Sequence, residues 1–471
     1  MPDDAPPGTE LLDLTKNFPP VPTAQWEAVI QKDLKGADYE KRLVWRTEEG
    51  IAVRPYYRAD DVTAGFPVVR RGGKPWATAQ EAAPSADAIR ADQLHEAGAN
   101  AIQELGYALS AGVERLAALT KKQSVDAAAA QIEFVFAVGS TYFMEIAKLR
   151  AARTLWAQAV SAFAPKDPAA CRIKLAVRTS FRNKSVADRY TNLLRVTTEA
   201  LSAVIGGCDS LTVQPFGFDE HLALNVQRLI REESHLDAVA DPAGGSYFVE
   251  ALTAALAREG WKLFQQVEAQ GGYAKAWASG AIQKALAESR VAREKAMAGR
   301  RKTLVGVNNF PNLMEKEPEV EAPAAEPFTA PAFRLAEPFE KIRLRTNQHA
   351  KRTGRYPKVL LLKRGDLKMR MARANFCLNF FGCAAFDIEE SDEYAGTDAD
   401  LVVLCGADPE YLALAQEVCP KVKAPVFVAG NPKDQIDALQ QAGVSGFVHV
   451  QSNAVELLSG LQDRFGMGGL A

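Results

Sequence analysis

Ile132-Glu133-Phe134-Val135-Phe136-Ala137-Val138, followed by Tyr142-Phe143-Met144-Glu145-Ile146-Ala147-Lys148-Leu149-Arg150-Ala151-Ala152-Arg153, is the stretch that decides the fold. The first run is short, apolar and rich in aromatic and β-branched residues, as a strand buried on both faces requires. The second begins a helix that carries Ile146, Leu149, Trp156, Val160 and Phe163 on one face. Outward from this pair the pattern repeats. Ile173–Val177 reads as a second strand, followed by a helix from about Arg189 to Ile205, and Ser210–Gln214 reads as a third. Long helices are predicted at 221–233, 246–269 and 273–298. Alternating strand and helix calls for a parallel sheet, open or closed into a barrel.

The C-terminal part repeats the alternation more tightly. Strand runs Val359–Leu362, Ala385–Ile388, Leu401–Cys405, Val426–Ala429 and Gly446–Val450 make five strand–helix units in about 120 residues, the pattern of a flavodoxin-like doubly wound domain. Ligands in such folds sit at the carboxyl ends of the strands. The loop after the first strand, Lys363-Arg364-Gly365-Asp366-Leu367-Lys368-Met369-Arg370-Met371-Ala372, is therefore the place to look, and it contains no histidine. Four segments result: an N-terminal arm (1–62), a barrel-type domain (63–310), a Pro/Ala/Glu-rich spacer (311–355) and the flavodoxin-like domain (356–471). In the arm, Thr23 is a predicted N-cap for a helix through about Leu34 that Gly36 ends, and Leu43–Trp45 and Ile51–Val53 flank a hairpin turn at Glu48-Glu49-Gly50. The arm has much apolar surface and little core of its own, so it is expected to pack on another body, in this chain or in a partner.

Composition bounds the function. With 471 residues, 47% hydrophobic and 24% charged, the chain suits a soluble protein of two or three domains. A net charge of -2 gives no electrostatic case for nucleic acid or an anionic membrane. The acidic, proline-rich start argues against a secretory signal, and the absence of an 18-residue apolar run argues against a membrane span. Six cysteines without a CxxC pair read as reduced thiols of a cytoplasmic protein and not as a metal site. His221, His235, His349 and His449 lack metal-ligand spacing, with His449 placed in the last strand run. Asp241-Pro242-Ala243-Gly244-Gly245-Ser246-Tyr247-Phe248-Val249-Glu250 is the sharpest local string: a turn, two glycines and a serine cap leading into a helix. By itself it is either a phosphate-binding helix start or structural punctuation.

That string resembles the D-P-x-G-G-S-Y sequence of the methylmalonyl-CoA mutase family. Tyr142–Arg153, Glu96-Ala97-Gly98-Ala99, Phe218-Asp219-Glu220 and Val305-Gly306-Val307-Asn308 resemble further strings of the same family. The arm, from Phe18-Pro19-Pro20-Val21 through Lys35-Gly36-Ala37-Asp38-Tyr39-Glu40, is similar to the start of the small subunit of its heterodimeric bacterial members. The resemblance implies a (β/α)8 barrel that threads coenzyme A, a separate cobalamin-binding domain, and adenosylcobalamin-dependent rearrangement of methylmalonyl-CoA to succinyl-CoA.

It also implies which groups should be present. The Tyr-His pair of catalytic members falls on Asp92 and Gln93, and His95 lies two places out of register. The His-x-Gln-Thr-Ser-Gly string falls on Ala176–Phe181, where only Thr179 and Ser180 agree. In the family's cobalamin string, Lys363 matches the preceding lysine, while Leu367, Met369 and Ala372 stand where Asp, His and Gly are required. Lys363 and Glu220 remain the candidate cofactor contacts, and Met369 occupies the cobalt-ligand position. Glu220 has the alternative reading of a helix-start carboxylate, and Arg150 and Arg153 that of surface or interdomain ion pairs. Only about 30 residues separate the arm from Asp87, so roughly half of the barrel is expected to be missing and its sheet edges to be covered by the arm, a partner or a second copy.

The expectation is a non-catalytic small subunit, inactive alone, in a heterodimer with a large catalytic mutase subunit. Adenosylcobalamin and the acyl-CoA would then belong to the partner, with no cofactor on this chain. The alternatives are a divergent acyl-CoA mutase active by itself and a binding module for another ligand.

Overall fold

A computed structural model describes residues 16, 18–62, 76–78, 80–317 and 331–469. Its larger domain is built on five parallel strands: β3 (Ala77–Thr78), β4 (Ile89–Arg90), β5 (Glu133–Val138), β6 (Lys174–Thr179) and β7 (Ser210–Thr212), in the order β3-β7-β6-β5-β4. The deciding stretch folds as read. β5 is buried along nearly its whole length, and it pairs in register with β6 from Glu133↔Lys174 to Val138↔Thr179. The helices α4 (Ala101–Leu119) and α6 (Tyr142–Ser161) cover it. Phe134, Phe136, Leu105, Leu109, Leu155 and Trp156 form one core there, with Phe134 edge-on to Trp156 at 5.0 Å. Full burial of each such aromatic removes enough apolar surface to be worth about 2–3 kcal/mol.

The sheet does not close. Among the described residues β3 pairs only with β7 and β4 only with β5, so five strands stand where a complete barrel has eight. Between β4 and β5 lies α3 (Ala91–Glu96), and α7 (Thr191–Ile205) follows β6. After β7 come α8 (Glu220–Arg228), which continues as a π-helical turn Leu229–Glu233, and α9 (Tyr247–Ala269). The single helix expected over 273–298 is two: α10 (Tyr273–Ala278) and α11 (Ala281–Ala298). Gly280 separates them with φ +78°, a left-handed conformation that breaks an α-helix.

The smaller domain is a second parallel sheet of β8 (Lys358–Lys363), β9 (Asp387–Ser391), β10 (Leu401–Cys405), β11 (Val426–Ala429) and β12 (Val444–Val448), ordered β12-β11-β10-β8-β9. That is the flavodoxin order, whose switch point lies between β8 and β10. Both flanks are apolar, as a doubly wound sheet demands. The strand expected at Ala385–Ile388 starts two residues later, because Ala385 takes a left-handed turn at φ 58°. His449 lies just past β12, not within it. Half of the expected spacer is also structured. Residues 337–353 form helix α12 (Glu337–Thr353), whose Phe339 and Ile342 are buried in the smaller domain's core. The Pro/Ala-rich residues 318–330 lie outside the described residues.

The described residues of the arm fold onto their own chain, but not by extending the sheet. Pro22, not Thr23, occupies the N-cap position of its helix α1 (Thr23–Asp33), without a side-chain capping bond, and Thr23 instead donates from Oγ1 to Asp60 at 2.8 Å. The predicted hairpin forms from β1 (Trp45–Arg46) and β2 (Ala52–Val53), a separate two-stranded sheet. Glu48 in its turn reaches Arg293 Nε and Lys302 Nζ, both at 2.6 Å. Among the described residues no helix is long and apolar enough to cross a membrane.

Candidate functional site

Two places can hold chemistry: the carboxyl ends of the larger sheet and the switch-point crevice of the smaller one. At the first, Asp92 begins α3 and is 4% exposed. It accepts from Arg90 Nε at 2.8 Å and Nη2 at 2.7 Å, and from Arg178 Nη1 at 3.2 Å. The position that the resemblance gives to a radical-steering tyrosine therefore holds a carboxylate locked between two guanidinium groups. Gln93 beside it is half-buried. Asp92 thus accepts three charge-assisted hydrogen bonds, and the Gln93 amide does not titrate.

At the second, Asp366 caps α13 (Leu367–Gly382) by accepting from Met369 N at 2.9 Å. Met369 is half-buried and Leu367 is 63% exposed. Lys363, at the end of β8, pairs with Glu390 at 3.0 Å and lies 3.7 Å from Asp392. The hydrogen bond to Glu390 holds its ammonium above the usual lysine range. The decisive group is one the sequence reading passed over. Glu410 spans the crevice between β8 and β10, accepting from Asp366 N at 3.1 Å and Ala407 N at 2.9 Å. Gly365, at φ +76°, makes room for it: a Cβ there would collide with the Glu410 carboxylate. A cofactor entering this crevice would have to displace a carboxylate from two backbone donors, and the position that the resemblance gives to a cobalt-ligating imidazole carries a thioether, Met369. The residues present do not fit cobalamin bound in the family's manner.

Other singled-out residues are structural. Glu220 is exposed in the first turn of α8, where a carboxylate suits the helix dipole. Arg150 and Arg153 are buried rather than on the surface, and their ion pairs lie within the domain. Arg150 binds Asp241 and, at 2.7 Å, Glu250; Arg153 binds the Gly207 carbonyl and lies 3.1 Å from Asp209. Glu250 also accepts from Gly245 N at 3.0 Å, and Ser246 accepts from Val249 N at 3.5 Å. The Asp241–Glu250 string is thus a latch that fixes the entry of α9 against α6, which favours punctuation over a phosphate site.

Two buried ionic clusters were not foreseen. In one, Lys184 and Glu199 are fully buried 2.7 Å apart, with Asn183 Nδ2 donating to Glu199 at 2.7 Å. In the other, Glu104 accepts from Lys148 Nζ at 2.6 Å and lies 3.1 Å from His95 Nδ1, while Lys148 also meets Glu145 at 2.6 Å. Glu104 Oε1 accepts from Ala137 N–H at 3.1 Å, and Lys148 Nζ donates to the Ala137 carbonyl at 2.7 Å. Because β4 ends at Arg90, opposite Val135, these side chains satisfy the strand edge that β4 no longer reaches. Burial raises the Glu104 carboxyl to about 7 against the pull of Lys148, and burial drives the His95 imidazole well down, so it is neutral. The only sequence signal was the run of charged residues at 145, 148, 150 and 153 within an otherwise apolar helix.

The methylmalonyl-CoA mutase family model matches residues 73–353. The chain is 40% identical over 410 residues to the methylmalonyl-CoA mutase small subunit of Porphyromonas gingivalis, covering 80% of this chain and 66% of that protein. To the small subunit of Streptomyces virginiae it is 37% identical, over 82% of this chain and 65% of the relative. The chain thus spans slightly less than two thirds of the length of these relatives. A methylmalonyl-CoA mutase of Cereibacter sphaeroides is 41% identical over 234 residues, covering 48% of this chain and 33% of the relative.

Proposed function

The chain belongs to the methylmalonyl-CoA mutase family, and on that premise we propose that it is a non-catalytic small subunit of a cytoplasmic, adenosylcobalamin-dependent mutase. In this reading it stabilises a large catalytic subunit that carries the cobalamin and isomerises methylmalonyl-CoA and succinyl-CoA. The observation that carries the reading is Glu410, whose carboxylate bridges Asp366 N and Ala407 N at the switch-point crevice, with Met369 at the position that the resemblance gives to the cobalt-ligating histidine. Asp92, held between Arg90 and Arg178, supports the same conclusion at the larger domain. The arm supports the subunit role. None of the residues of α1 is buried, and Phe18, Trp26, Val29 and Trp45 are exposed, an apolar surface of the kind that marks an interface.

The test is a spectral titration of the purified chain with adenosylcobalamin, together with co-purification alongside a large mutase subunit. Association without cobalamin binding by the isolated chain is expected. Tight binding by the chain alone, with mutase turnover, would favour the divergent enzyme instead.

A further inference from the structure

Three helices send buried charged or titratable side chains to the same point beside β5. His95 comes from α3, Glu104 from α4, and Glu145 and Lys148 from α6. Lys148 Nζ lies 2.6 Å from Glu104 Oε2 and 2.6 Å from Glu145 Oε2, so one ammonium serves two carboxylates. Backbone donors take the other oxygens: Ala137 N donates to Glu104 Oε1 at 3.1 Å and Gly139 N to Glu145 Oε1 at 3.0 Å. With both carboxylates ionised and the imidazole neutral, the cluster would hold one uncompensated negative charge away from water, which is costly. One proton removes that charge. Among the described residues, Glu104 Oε2 is the carboxylate oxygen that meets His95 Nδ1, at 3.1 Å. A proton placed there is hydrogen-bonded whichever of the two atoms carries it.

The same four residues share the wall of a cavity of about 410 Å³ with Arg46, Glu48, Glu49, Arg182, Arg293, Arg301 and Lys302. Glu48 pairs with Arg293 and Lys302, and Arg46 reaches outward to Glu40. Arg182 lies in the field of Glu96, Glu48 and Glu145, Glu49 accepts from Ala101 N, and Arg301 is exposed. Lys184 and Glu199 pair with each other at 2.7 Å. Burial, and after it the charges of Arg182, Lys148, Arg293 and Lys302, drives the His95 imidazole well down, which leaves the proton on Glu104. Burial also raises Glu104, against the pull of Lys148 and with Glu145 adding to it, to about 7.

We propose that this cluster is a pH-sensitive lock: it holds one exchangeable proton at the Glu104–His95 contact, and it joins α3, α4 and α6 to β5 most firmly while that proton is bound. A carboxyl raised from 4.5 to about 7 stabilises the fold fully below 4.5, and that stability is lost as pH rises through about 7. His95 acts in the opposite sense, its contribution being present above 6.5 and lost as pH falls. Variants at the carboxylates are therefore compared with the native chain at each pH. The lock uses neither the cobalamin crevice nor the subunit role, so it stands or falls apart from them.

The experiment is infrared difference spectroscopy of the full chain between about pH 6 and pH 8, together with urea unfolding over the same range and down to about pH 5. The native chain should show a protonated-carboxyl C=O band at the lower pH that is lost at the higher, and Glu104→Gln should remove it. Glu145→Gln is the discriminating variant, because it keeps Glu104 with Lys148, His95 and Ala137. One carboxylate then faces one ammonium, the cluster is neutral without the proton, and the band should vanish at about pH 6 here as well. In urea, the unfolding constant of the native chain relative to either variant should grow by up to roughly tenfold per pH unit between about pH 5 and 7. Absence of a Glu104-dependent band, its persistence in folded Glu145→Gln, or a stability ratio that does not change with pH would overturn the lock.

Discussion

Glu410 and Met369 set the residue-scale case. An imidazole added at the loop is not enough to rebuild a cofactor site while a carboxylate bridges Asp366 N and Ala407 N behind it. Met369→His alone should therefore leave the chain without spectrally detectable cobalamin binding. A base-off to base-on or histidine-ligated spectrum in that single variant would count against the crevice argument. Lys184 and Glu199 make a second case. Both are fully buried, so Lys184→Met leaves an unpaired charge in the core and should cost about 3–5 kcal/mol in urea unfolding. The double variant Lys184→Met/Glu199→Leu should recover much of that loss, because the desolvated charge goes with its partner. Glu48 makes a third. Burial alone would raise its carboxyl, yet Arg293 and Lys302 bring it down from 4.5 to about 2. A lowered carboxylate contributes its stability above 4.5 and loses it as pH falls from 4.5 toward 2. The side chain is 40% exposed, so solvent screening leaves about 1 kcal/mol. Protection factors for hydrogen exchange, corrected for the intrinsic rate, should fall in that acid window at Thr47 and Gly50, whose amides hold the hairpin turn, and Glu48→Gln should remove that fall.

Among the elements, α1 and the hairpin behave differently. The hairpin is tied down by Glu48 and by Glu49, which accepts from Ala101 N at 3.4 Å. Among the described residues helix α1 is held within the arm, through Thr23 to Asp60 at 2.8 Å, Tyr56 to Glu27 at 3.1 Å and the Arg58 guanidinium 5.4 Å from the Trp26 ring. On the subunit reading, Trp26→Ala should therefore weaken association with a large subunit by about 1–2 kcal/mol and leave the melting temperature of the isolated chain nearly unchanged. A large drop in that melting temperature would make the helix part of this chain's own fold instead. The elements also show where sequence reading succeeds and fails. β5, α6 and α9 were legible because long apolar periodicity leaves little choice. The break at Gly280 and the helix α12 were not. A glycine within a helical pattern does not announce a left-handed turn, and α12 is strongly charged overall, with burial confined to one face.

For the whole molecule, the open edges of the five-stranded sheet are the feature that local patterns could only foreshadow. Among the described residues the arm does not pair with either edge. At β5 the chain answers with Glu104 and Lys148, which satisfy the N–H and C=O of Ala137. Contact between the two domains is direct: Leu335 N donates to the Arg182 carbonyl at 2.8 Å, Val186 N donates to Glu340 at 2.9 Å, and Leu304 and Val307 join the smaller domain's core. The segment 331–353 is thus a joint rather than a tether.

By itself the sequence determined the two parallel sheets and most of their helices, because hydrophobic periodicity is a local property. Only the tertiary structure decided what the charged groups between them do. The Asp92–Arg178 pair, the Glu410 carboxylate on Asp366 N and the buried Glu104–Lys148 pair all join residues far apart in the chain. Whether a charged residue is a solvated face, a buried lock or a binding group is settled by which partners the fold brings within a few ångströms.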